Sequence, residues 1–114
     1  MMLEPIPRES IAKVDLIPQA ILNRPVSFFA DRRNIRFFWE SDDLDVYESA
    51  ALRLNGTPFA LRHYRRYPEN TTTIYLPREV SNVTDITSMI SAIVQALELS
   101  RTEICWERSE NPTL

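Results

Sequence analysis

The sequence predicts an α+β domain in which a small antiparallel sheet carries helices on one face, and three observations carry that prediction. The stretch from Asn82 to Leu99 has Ile86, Met89, Ile90, Ile93, Val94 and Leu97 on one apolar stripe of a 3.6-residue helix. Pro58 to Arg66 and Thr71 to Leu76 alternate apolar and polar residues with period two, the signature of half-buried strands. The whole chain has 114 residues with 44 % hydrophobic and 25 % charged content, which suits one core rather than two.

Each element follows from local chemistry. Met1 to Glu9, with Pro5 and Pro7, reads as an extended arm, and Ser10 to Asn23 as a segment able to hold a short helix after Pro18. Val26 to Ala30 and Ile35 to Glu40 are aromatic and β-branched runs separated by Asp31, Arg32, Arg33 and Asn34, and read as a hairpin. Ser41 to Leu54 admits two readings. As a helix it has Ser41 or Asp42 as cap, acids in the first turn, and Leu44, Tyr47, Ala51 and Leu54 in a row. As a strand it turns at Asn55-Gly56, setting Leu52 opposite Phe59, Ala50 opposite Leu61 and Tyr47 opposite Tyr64. The run of Ala50, Ala51, Leu52 and Leu54 favours the helix.

In the strand Pro58 to Arg66, Phe59, Leu61 and His63 share one face, and Ala60, Arg62, Tyr64 and Arg66 the other. Thr71 to Leu76 returns with Ile74 and Leu76 inward and Tyr75 outward. The long helix starts at a cap, Asn82 or Thr84, with Asp85 at the positive end of its dipole. Glu103 to Arg108 is a last strand, and Ser109 to Leu114 a frayed tail. Residues 1–114 thus form a single α+β domain, with an arm or short helix over 1–25, a core over 26–108 and a tail over 109–114. From Ile35 onward the order strand, helix, strand, strand, helix, strand resembles the split βαβ of the ferredoxin-like superfold, preceded by an extra strand and arm. The sheet order expected from that resemblance is Glu103-strand, Ile35-strand, Thr71-strand, Pro58-strand.

Composition excludes several classes of function. The net charge of −3 argues against a dedicated duplex-DNA binder. A single glycine, Gly56, removes glycine-rich phosphate loops, so no nucleotide cofactor is expected. Apolar runs are too short for a spanning helix, Met1 to Gln19 lacks the continuous apolar core of a signal peptide, and one cysteine makes no internal disulfide; a cytoplasmic protein is expected. His63 and Cys105 are the only imidazole and thiol, predicted on opposite sheet faces, so neither a catalytic pair nor a metal site is expected. The acids Glu40, Asp42, Asp43, Asp45 and Glu48 read as helix-capping and solubilising groups.

Twelve of the thirteen basic residues are arginine, Lys13 being the exception. On the face turned from the helices, Arg36, Phe38, Arg62, Tyr64, Arg66 and Tyr75 form the candidate site. Tyrosine and arginine are enriched at protein interfaces, so this face or the strand edge at Pro58 to Arg66 is expected to serve a small non-enzymatic interaction or regulatory module, as a homodimer or against another protein. Self-coverage by the N-terminal segment is a further expectation for that face. The alternative is single-stranded RNA binding, with rings stacking on bases and guanidiniums meeting phosphates. A small enzyme using His63 is the third possibility, and no membrane association is expected.

Overall fold

The protein is described here over residues 3–108 in a computed structural model. Two helices lie against a seven-stranded sheet in which every pairing is antiparallel, a mixed α+β arrangement. The strands are β1 (Glu4–Pro5), β2 (Leu16–Leu22), β3 (Phe38–Ser41), β4 (Val46–Leu54), β5 (Thr57–Tyr64), β6 (Thr72–Pro77) and β7 (Ile104–Glu107). The helices are α1 (Val26–Arg32) and α2 (Val83–Ala96). Neighbours run β1-β4-β5-β6-β2-β7, and β3 pairs with β4 beside β1.

The amphipathic helix forms where its stripe requires. Asn82 accepts from the amide of Thr84 at 2.8 Å, and Ile86, Ile90, Ile93, Val94 and Leu97 are buried. Past Leu97 the chain turns left-handed at Glu98 (φ 61°), with Glu98 N–H on the Gln95 carbonyl and Leu99 N–H on that of Val94, both at 2.9 Å. That is a Schellman closure made without the usual glycine. The stripe packs with Phe29 of α1 on Leu22, Leu52, Leu61, Ile74 and Leu76, which form the helix-covered face of the sheet.

The β4–β5 hairpin overturns the favoured helix over Ser41 to Leu54. Its register sets Leu52 on Phe59, Ala50 on Leu61 and Tyr47 on Tyr64, the pairing of the strand reading. Asn55 (φ 52°) and Gly56 (φ 82°) supply the two positive φ values that a two-residue hairpin turn of this kind needs. Local helix propensity loses because the alternating Ala50, Leu52 and Leu54 are buried only when extended.

Two further expectations are corrected. Val26 to Ala30 is the start of α1, not a strand: Pro25 stands at its N-cap, Phe29 enters the core, and Arg33 Nε ties its end to the Leu97 carbonyl at 2.6 Å. Of the expected Ile35 to Glu40 strand only residues 38–40 fall in β3, which lies outside β4. Its expected place between the Thr71 and Glu103 strands is taken by β2, Leu16–Leu22, where a short helix was expected. Pro18 is tolerated there because it adjoins the irregularity between Pro18 and Ala20 and lies outside the ladder to β7, which begins at Ala20. Residues 3–25 are therefore not merely an arm. The expected frayed tail, 109–114, lies outside the described residues.

Candidate functional site

The second face of the sheet is built from Tyr47, Ser49 and Ala51 of β4, Ala60, Arg62 and Tyr64 of β5, and Thr73 and Tyr75 of β6, as their cross-strand pairing requires. The N-terminal segment crosses it as a strap. β1 pairs with Arg53 and Leu52, Ile6 N–H donates to the Ala51 carbonyl at 3.1 Å, and a short 3-10 turn, Arg8–Ile11, lays Ile11 on Ala60 and Tyr75. Self-coverage is thus realised over the middle of this face.

Arg62 occupies the centre. Its guanidinium carbon lies 5.0 Å from the ring centroids of both Tyr47 and Tyr75, and its Nε donates to Ser49 Oγ at 3.1 Å. Tyr64 stacks on Tyr47 with centroids 4.5 Å apart, and Tyr67 and Tyr75 adjoin Tyr64, so all four tyrosines meet. Burial raises the phenol pKa of Tyr47 and Tyr75, and raises that of Tyr64 to about 12, where its hydrogen bond to Asp42 adds to the effect. All three are neutral hydroxyls at physiological pH.

The acidic run is reassigned by the β3–β4 turn. Asp42 accepts from the amides of Leu44 (2.8 Å) and Asp45 (2.9 Å) and from Tyr64 Oη (3.0 Å); Asp45 accepts from the amides of Val46 (2.7 Å) and Arg66 (2.9 Å). Both carboxyls are held below their ordinary value, chiefly by these backbone donors. They hold a hairpin and its neighbour together instead of capping a helix.

Three of the six candidate residues meet on this face, and two more, Phe38 and Arg36, meet at the β3 edge. Arg62, Tyr64 and Tyr75 share one cluster, while Phe38 lies at the β3 edge with the guanidiniums of Arg8 and Arg36 at 5.1 and 5.2 Å from its ring centroid. Arg36 is exposed beside Phe38, and Arg66 is exposed beyond the end of β5. The expected neighbourhood of Phe38 and Arg36 with the Glu103 strand does not occur, since they sit at opposite edges. Sequence reasoning missed Arg8, Ser49 and Tyr67; the strand register that paired Tyr47 with Tyr64 was the available signal for Tyr47.

Between the strap and the β3–β4 hairpin lies a cleft of about 720 Å³, bordered by Arg62, Tyr47, Ile11, Val14, Leu16 and Glu40 among others. His63 lies on the helix-covered side in a smaller recess of about 270 Å³ with Glu48 and Glu69, and its Nδ1 has no protein partner. Cys105 is exposed on β7, its Sγ 3.4 Å from the Ile21 carbonyl. Among the described residues no cluster of three metal-ligating side chains occurs, and no helix is long and apolar enough to cross a membrane. No family model, curated protein or solved structure matches the chain.

Proposed function

We propose that the protein is a small non-enzymatic interaction module that self-associates through the free edge of β3. One observation carries this reading. Among the described residues β3 bonds to β4 alone, and its Trp39, 64 % exposed, shares the β3–β4 hairpin with Leu44, 72 % exposed. An unpaired edge bearing an exposed indole invites addition of another strand. The charge pattern favours a second copy. Arg36 precedes the strand while Asp42 and Asp43 follow it, so two antiparallel β3 strands related by a twofold axis bring each Arg36 to the other copy's acidic end.

The reading includes a ferredoxin-like core. It is supported by the order β7-β2-β6-β5, with α1 following β2 and α2 following β6, and treats β3–β4 as a hairpin inserted after α1. Single-stranded nucleic-acid binding draws less support, because Tyr47 and Tyr75 are 8 % and 6 % exposed and offer little ring surface to a base.

Light scattering behind a sizing column, with absorbance at two ultraviolet wavelengths, tests the proposal. The expected result is a dimer free of nucleic acid that becomes a monomer on Trp39→Glu. A monomeric wild type, or a dimer indifferent to Trp39→Glu, overturns it, and co-purifying nucleic acid lost at high salt establishes the alternative.

A further inference from the structure

We infer that the cleft between the N-terminal strap and the β3–β4 hairpin binds a small organic monocarboxylate, anchored by Arg62. Three arginines are half-buried, Arg24, Arg33 and Arg62. Arg24 pairs with Glu103, and Arg33 donates to the carbonyls of Leu97 and Arg32 at 2.6 and 3.2 Å. Arg62 has no ion pair among the described residues and donates only from Nε, to Ser49. Among the described residues neither of its terminal amino groups has a protein acceptor, so both donors are available to a ligand entering the cleft.

The geometry prepares that acceptor's site. The rings of Tyr47 and Tyr75 flank the guanidinium, and Ser49, itself buried, fixes its Nε, so the plane of the fork is set before any ligand enters. Two parallel N–H donors on a fixed plane match a carboxylate. Ile11, Val14 and Leu16 give an apolar strip to a lining that is otherwise mostly polar, and about 720 Å³ falls within the roughly 300 to 1,000 Å³ typical of small-molecule sites. Charge count then selects among anions. Arg8 and Arg62 are balanced around the cleft by Glu9 and Glu40, so one negative charge on the ligand is met by Arg62 and a second finds no unopposed cation. A monocarboxylate fits, and a dianionic phosphate does not. Trp39, Glu40 and Ser41 of β3 also line this cleft, so binding is read on Arg62→Gln, which leaves β3 unchanged, and self-association on Trp39→Glu.

Nuclear magnetic resonance titration of the full chain tests it, using phenylacetate, its neutral analogue phenylacetamide, and inorganic phosphate as probes. The expected result is a saturable shift of the Arg62 Nε resonance with phenylacetate, affinity roughly tenfold or more above that for phenylacetamide, and a comparable loss in Arg62→Gln. If Arg62→Gln does not fold, Val14→Glu, which places a carboxylate on the wall without touching the sheet, decides by the same loss. Absence of saturable binding by phenylacetate, equal binding of the amide, tighter binding of phosphate, or full retention of affinity in the deciding variant overturns the inference.

Discussion

The two faces of the sheet are closed by different means. On one, a capped helix of fourteen residues presses an aliphatic stripe onto Leu22, Leu61, Ile74 and Leu76. On the other, a strap with one buried isoleucine, Ile11, lies over tyrosines and an arginine. The first face is dry and interdigitated, so its energy is that of buried hydrocarbon. The second keeps polar groups whose hydrogen-bonding capacity is not fully used, and a cleft opens along the strap. Aliphatic packing is concentrated on one side of the sheet, and the tyrosine–arginine cluster on the other.

Truncation tests this contrast most strongly. Ile90→Ala or Ile93→Ala leaves a cavity in a core that cannot collapse, and is expected to cost about 2 to 5 kcal/mol in urea unfolding. Ile11→Ala is expected to cost about 2 kcal/mol, close to the transfer term alone, because a strap can settle where a helix cannot. Equal losses at the two sites would erase the distinction between the faces.

The pH dependence of stability probes the tyrosine face by itself. The native pKa of Tyr64 is raised from 10.0 to about 12, so the native state holds this proton more tightly than the unfolded chain. Its contribution is fully present below pH 10 and is lost as pH rises toward about 12. Tyr64→Phe is expected to flatten the decline in that window, and an unchanged slope would place the phenol in solvent. At the acidic end the signs reverse. Asp42 and Asp45 have lowered native values, so their contribution holds above the ordinary carboxylate value of 3.8 and is lost as pH falls through their native pKa.

The smallest effect lies on the helix side. Glu98 occupies a left-handed position (φ 61°) that costs a residue with a Cβ about 1 to 2 kcal/mol. Glycine there gives part of this back through its freer unfolded state, so Glu98→Gly is expected to stabilise by about 0.5 kcal/mol, read as a shift in the urea midpoint.

How much of this was legible follows the same division. The helix stripe, its Asn82 cap, and the facing of β5 and β6 were readable because burial on one side imposes a period that no other structure satisfies. The Asn55-Gly56 register was also legible, although alanine and leucine propensities argued against it and tertiary burial prevailed. β2 was hidden because Pro18 masks a strand whose bulge only its neighbours reveal. α1 was hidden because Phe28 and Phe29 are as common in strands as in a short helix secured by Arg33. At the site, the grouping of Arg62, Tyr64 and Tyr75 followed from alternation within β5 and β6. The caging of Arg62 by Tyr47 required β4 to be a strand, and the strap could not be placed from local pattern at all.

The position of β2 between β6 and β7 also governs how the chain must assemble. β2, from the first quarter of the chain, is enclosed by β6 and β7 from its second half, so the sheet closes through long loops and its folding is expected to be slow for so small a chain. During synthesis Ile21 and Leu22 emerge well before the strands that will bury them. Through that interval Pro18, unable to donate from its nitrogen, and the irregularity beside it deny a wrong strand an unbroken ladder along β2. The feature that obscured this strand in the sequence is also the one that interrupts its ladder.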